Sequence, residues 1–293
     1  MRRFIWLLIF LFLGVGVVRA ATVSRVRLGV LAKRGTAIAK KKWGPLAQYL
    51  SEETGIRVIL IPLSFDGIEP AVKNRKIDYL LANPAFYVRL RQKYGIYALA
   101  TMLNRRQGKA LDRFGGVIFV RADSPIRDLS QLRGKKFMVV KFSSFGGAYM
   151  AFRLLLEQGI NPFRELHLVE GYTHDNVVFS VLKGRVDAGT VRSDTLERME
   201  AEGKIKMADF RVLHPINDGF PFVHSTRLYP EWPFAALPHT SKEINLRIKK
   251  ALLGLKKDHP AARAARIAGW VEPLDYTPVA ECLRVVDRVR LQP

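Results

Sequence analysis

The chain has one cysteine among 293 residues, 26 acidic residues against 48 basic ones, and no repeat or low-complexity segment beyond its first twenty positions. A lone Cys282 excludes an internal disulfide and a cysteine-based metal cluster. It sits beside Leu283, Val285 and Val286 in a late helical pattern and reads as a small buried or half-buried hydrophobe. His214, His224 and His239 show no regular metal-ligand spacing. No serine–histidine–acid arrangement is legible either, so catalysis is the lesser reading and no cofactor or metal is expected. Stability has to rest on hydrophobic cores, for which this length has room in one or two domains.

What the chain does have begins with an export signal. Arg2-Arg3 form a positive start, residues 4–18 an apolar run, and Val18-Arg19-Ala20 a small-residue cleavage site. That run of about 15 residues falls short of the ~18–20 that span a bilayer. Residues 1–20 are therefore expected to be a cleaved leader, with an uncleaved anchor as the alternative. No cysteine lies near the cleavage site, which excludes a lipoprotein anchor.

The formal charge is +22, and losing Arg2, Arg3 and Arg19 with the leader leaves three fewer. Such a field draws anions of every kind. The basic residues are scattered, without an arginine-rich tail or a zinc-finger or RNA-binding signature, so nucleic acid is not an expected partner. Lys40-Lys41-Lys42 and Lys249-Lys250 fall on helical patterns and read as solvated faces.

Hydrophobic spacing gives the organisation. Strand-like runs at 26–31, 58–63, 77–82 and 98–103 alternate with helical patterns, the first carrying Trp43, Leu46, Ala47 and Leu50 at helical spacing. A second alternating series runs from 137–140 to 210–213, and helical patterns at 242–255, 260–268 and 278–289 close the chain. The fold class expected is α/β with mostly parallel sheets. Crossing strands near 115–121 and 220–226 would join two lobes, residues 24–114 with 227–293 and residues 115–226. Open α/β sheets bind ligands at strand carboxyl ends, and paired crossings make a hinge.

Ser143-Ser144-Phe145-Gly146-Gly147 stands between the run 137–140 and a helical pattern. A helix start offers unpaired N–H groups and a partial positive charge to an oxyanion. The serine hydroxyls add donors, and the glycines let a ligand approach the main chain. An ordinary N-cap is the alternative.

Several segments resemble the type II periplasmic binding proteins. They include Lys76-Ile77-Asp78-Tyr79-Leu80-Leu81-Ala82-Asn83-Pro84 and Asp128-Leu129-Ser130-Gln131-Leu132-Arg133-Gly134-Lys135. Within that class, Gly29-Val30-Leu31-Ala32, Phe114-Gly115-Gly116-Val117, the Ser143–Gly147 run and Asp187-Ala188-Gly189-Thr190-Val191-Arg192 resemble the phosphate/phosphite/phosphonate-binding branch. The resemblance is greatest to the input domain of tetrathionate-type sensor histidine kinases. It implies two α/β lobes joined by two hinge strands, and a periplasmic location.

The resemblance implies Ser143, Ser144 and Phe145 at the ligand, with His174 as a ligand histidine and Phe65 as an aromatic wall. Phe65 lacks a hydroxyl where the branch has an aromatic that can line the pocket. Position at strand carboxyl ends adds Arg192, with Thr190 beside it, and Arg34, Asn83 and Tyr87 on the first lobe. Capping or core roles compete at each. Arg105 and Phe114 lie near the first crossing.

The expected function is a monomeric solute-binding protein that captures a small anion of phosphorus or sulfur and presents it to a membrane permease with its ATPase. The alternative is a stand-alone sensing partner of a two-component histidine kinase. Because no kinase segment precedes Pro293, a signal would pass to a separate protein. An enzyme and a charge-driven adhesin are the competing classes.

Overall fold

A computed structural model describes residues 25–33 and 35–291. The proposed leader and Arg34 lie outside the described residues. The first series of elements is β1 (Arg25–Leu31), α1 (Thr36–Thr54), β2 (Arg57–Leu63), α2 (Ile68–Lys73), β3 (Tyr79–Leu81), α3 (Pro84–Tyr94), β4 (Tyr97–Arg106) and β5 (Lys109–Leu111). After β6 (Arg113–Phe114) come β7 (Gly116–Arg121), β8 (Lys136–Val139), α4 (Met150–Glu157), α5 (Pro162–Glu165), β9 (His167–Glu170), α6 (His174–Leu182), β10 (Ala188–Arg192), α7 (Thr195–Ala201) and β11 (Phe210–Leu213). The chain then returns through β12 (Tyr229–Pro230) to β13 (Pro233–Ala236), α8 (Lys242–Gly254), α9 (Pro260–Ala265), β14 (Ile267–Val271) and α10 (Thr277–Arg290).

Two sheets result. The first has the order β14-β4-β13-β3-β1-β2 with β5 on β4, and the second β11-β7-β10-β8-β9. Between them β6 and β12 pair antiparallel, Phe114 opposite Tyr229. The crossing strands are therefore two residues each. The segment expected as a crossing at 115–121 is instead β7, inside the second sheet.

Residues 220–226 form no strand. Their polar side chains replace a ladder: Ser225 Oγ accepts from Ile118 N at 2.9 Å and Thr226 Oγ1 from Gly116 N at 2.9 Å. The sheets are also mixed rather than mostly parallel. β1 pairs parallel with β2 and β3, and β8 with β9 and β10, whereas β13, β14, β7 and β11 run antiparallel to their neighbours. β7 and β11 follow and precede the crossings of the second lobe, and β13 follows the return crossing into the first. The pattern 260–268 divides, because Arg266 adopts φ 53° and ends α9, so that β14 can follow.

Alternation along β7 explains how the second sheet is covered on both faces. Ile118 and Val120 join the large core shared with α4, while Val117 and Phe119 join a separate core under α6 and α7. Cys282 is buried on α10, and burial pushes its thiol up to about 12.

Candidate functional site

The carboxyl ends of β1, β4 and β10 converge on a cavity of about 380 Å3. From the first sheet it is walled by Lys33, Lys41, Lys42, Trp43, Asn104 and Arg106, with Trp232 ahead of β13 and Arg266 after α9. From the second come His174, Arg192, Asp194 and Arg198. Seven lysines and arginines and one carboxylate thus face the same space.

Arg192 ends β10 with its side chain 10% exposed. Its Nε donates to Asp194 Oδ1 at 2.8 Å, its terminal nitrogen to Glu231 Oε1 at 2.8 Å, and its guanidinium lies 4.4 Å from the Phe114 ring centre. Burial opposes this charge, yet the Glu231 and Asp194 carboxylates outweigh it and raise the Arg192 pKa. Asp194 also meets Arg106 Nε at 2.9 Å, and Asn104 Nδ2 donates to Glu231 Oε1 at 2.7 Å. Burial and Arg192 lower the Arg106 pKa against the pull of Asp194. Two guanidiniums and two carboxylates therefore cancel within one network that ties β4 to β10. Asp194 holds its place at φ 74°, a conformation that costs a non-glycine residue.

His174 opens α6, and its Nδ1 accepts from the Arg192 main-chain N–H at 3.3 Å. That bond places the ring proton on Nε2. Lys42 sits on α1 with its ammonium 4.6 Å from the Trp43 ring centre. Burial, then Lys33 and Arg106, push its pKa well below the ordinary lysine value, against the attraction of Glu231.

Of the expected residues, the structure gathers His174 and Arg192 on this wall. Ser143, Ser144, Phe65, Asn83 and Tyr87 are not on it. Ser144 caps a π-turn, Phe145–Tyr149, its Oγ accepting from Gly147 N at 3.2 Å. Lys141 beside it reaches the first lobe, 5.3 Å from the Phe65 ring centre, so the serine loop stands opposite the end of β2. Phe145 is a correction: its ring is buried between Phe114 and Tyr229, which leaves only its main chain for a ligand.

Gly146 and Gly147 are another correction. A Cβ on Gly146 would lie 2.6 Å from the Phe114 ring, and one on Gly147 would lie 2.5 Å from Val140. Packing, not ligand approach, demands both glycines. Asn83 Oδ1 accepts from Ala85 N and Phe86 N as the cap of α3. Tyr87 is buried against Tyr276, its hydroxyl accepting from Ala98 N. Phe65 is half-buried on Phe86. Thr190 is fully buried in β10, Phe114 lies under Arg192, and Arg105 donates its main-chain N–H to Arg266 O.

Lys41, Lys42, Arg106, Trp43, Trp232 and Arg266 are wall residues that the sequence reading missed. The Lys40-Lys41-Lys42 run was visible, but its helical spacing pointed to solvent. Lys42 is one position before buried Trp43, and that proximity was the available signal.

Two α/β sheets joined by a short pair of crossing strands, with a cavity at strand carboxyl ends between them, define a type II periplasmic binding protein. The model of the periplasmic substrate-binding proteins of phosphonate ABC transporters matches residues 28–277, and the chain belongs to that family. It is 33% identical over 262 residues to the tetrathionate sensor histidine kinase TtrS of Salmonella typhimurium, covering 88% of this chain and 43% of that relative. The chain thus spans less than half the length of that curated relative.

A Xanthomonas citri protein solved bound to ATP superposes with a TM-score of 0.71 at 24% identity, covering 91% of this chain and 98% of that one. PhnD1 from Prochlorococcus marinus, in complex with methylphosphonate, superposes with a TM-score of 0.71 at 14% identity, covering 90% and 99%. At these identities both likenesses establish the fold alone. Among the described residues no helix is long and apolar enough to cross a membrane, and no cluster of His, Cys, Asp or Glu is placed to hold a metal ion.

Proposed function

We propose that the chain is an exported, monomeric receptor that captures a small oxyanion of phosphorus or sulfur and hands it to the permease of an ABC transporter. The observation that carries this reading is the excess of cations on the cavity wall: Arg106, Arg192 and Arg198 are answered by carboxylates, but among the described residues none stands at ion-pair distance from Lys41, Lys42 or Arg266. Lys33, Lys42 and Arg106 come from the first lobe, and His174, Arg192 and Arg198 from the second. An anion touching both sets favours whichever arrangement holds them together, by its differential affinity for that state. The moving units are residues 24–114 with 227–293, and residues 115–226. Ser143 and Ser144, opposite Phe65, extend the cleft and offer hydroxyls and main-chain N–H groups to the same guest.

A second reading, a ligand-sensing partner for a separate histidine kinase, is favoured by the 33% identity to a tetrathionate sensor kinase. Loss of labelled-anion uptake on deletion supports transport, whereas loss of an anion-dependent transcriptional response supports sensing.

The test of capture is a melting screen of the exported protein against phosphate, phosphonates, sulfate, thiosulfate and tetrathionate at constant ionic strength. An anion present at 100 times its dissociation constant adds about 2.7 kcal/mol of stability. The same anion is to be recovered chemically unchanged. A screen in which no oxyanion raises the melting temperature removes the reading, and consumption of the ligand returns the enzyme class.

A further inference from the structure

The cavity is large for the simplest guests. Its 380 Å3 falls within the range of about 300–1,000 Å3 of pockets that enclose whole organic ligands. A phosphate or sulfate, with one central atom and four oxygens, fills only a small part of it.

The charges on the wall also divide into two groups. Arg106 and Arg192 are answered by Asp194 and Glu231, and Arg198 by Asp175 and Glu202 at its two terminal nitrogens. Among the described residues no carboxylate stands at ion-pair distance from Lys41, Lys42 or Arg266. These three come from α1 and from the end of α9, so they do not form one compact point of charge.

The lysine side of the wall is aromatic. Lys42 lies over Trp43, and Lys33 lies 5.3 Å from the Trp232 ring centre. The Trp43 face shields one side of the half-buried Lys42, and an ammonium partly withdrawn from water attracts an anion more strongly than a fully hydrated one.

Resting on the anion-binding reading above, we propose that the cavity selects an anion with two linked oxyanion groups over any single tetrahedral oxyanion, and that Lys42 sets this preference. Two linked groups reach charges on separate elements at once, and their length uses the volume. The internally neutral network of Arg106, Asp194, Arg192 and Glu231 then serves as the floor that positions the wall.

Isothermal titration of the exported protein with orthophosphate, methylphosphonate, sulfate, pyrophosphate and tetrathionate, at one ionic strength, tests this. Pyrophosphate or tetrathionate should bind at least tenfold more tightly than every single oxyanion, and which of them does so tells phosphorus from sulfur. Lys42→Met should remove the margin, and Lys42→Arg should keep it. Because Lys33, Arg106 and Arg192 all repel Lys42, the methionine variant should melt no lower than the parent. Should Lys42→Met not fold, Lys42→Gln reads the same loss. A margin below tenfold, or one that survives loss of the Lys42 charge, overturns the proposal. Failure of all five anions to bind removes the capture reading as well.

Discussion

Lys42, half-buried, and Arg192, buried, are cations on one cavity, yet their charges are held differently. Arg192 has two carboxylates at 2.8 Å, one of them the fully buried Glu231. Replacing it with alanine leaves Asp194 to Arg106 alone and the buried Glu231 with only the uncharged Asn104 and Trp232 donors, and breaking a buried pair in this way costs about 3–5 kcal/mol. Arg192→Ala should therefore lower the denaturant midpoint of the ligand-free protein, and an unchanged midpoint would argue against the network. Lys42 has no such partner, and burial with its cationic neighbours lowers its pKa. Between its folded and ordinary values the unfolded chain holds more protons, so stability rises with pH across that window. A bound anion restores the proton. Ligand binding should thus take up protons and weaken as pH rises through the same window, measurable as a buffer-dependent titration enthalpy. Proton-free binding would show that Lys42 does not meet the ligand.

The π-turn Phe145–Tyr149 shows how one element joins local and distant demands. Ser144 caps it, which was the alternative to the ligand role expected of that run of small residues, and the apolar strand before it was legible. The reason for its glycines was not, because Phe114 lies 32 positions earlier and Val140 only packs there once β8 is in the sheet. Gly147→Ala puts a methyl 2.5 Å from Val140, and overpacking of that kind costs about 1–3 kcal/mol. The expected outcome is a lowered melting temperature at unchanged anion affinity, and a fall in affinity with unchanged stability would restore the ligand-approach reading. β13 and β14, four and five residues long, escaped detection for a related reason. Pro233 and Gly269 interrupt their patterns, and only pairing in the sheet, β13 with β3 and β4 and β14 with β4, makes them strands.

Across the whole molecule the second lobe meets the first at a further charged contact. Arg89 on α3 donates to the Tyr149 hydroxyl at 2.5 Å, and that hydroxyl donates to Asp287 of α10 at 2.7 Å. Tyr149→Phe removes both bonds while keeping the ring. Hydrogen bonds to charged groups contribute about 1.5–3 kcal/mol each, part of which the remaining Arg89–Asp287 pair at 2.8 Å retains. Small-angle scattering of the ligand-free variant should show a larger radius of gyration than the parent. Identical scattering would mean that this contact does not restrain the lobes.

Periodicity along the chain was enough for the alternating elements, the basic excess and the placing of Arg192 at a strand end, while the caps at Asn83 and Ser144 were only the alternatives to the ligand roles expected there. Those are properties of neighbours within a few positions, where backbone sterics and side-chain spacing decide. Which cations share a cavity, which carboxylates neutralise them, and that Lys42 turns inward while its pattern pointed outward were settled only when β4, α9 and β10 came together. Electrostatic partnership depends on distance through space and on exclusion of water, and neither is written in the order of residues.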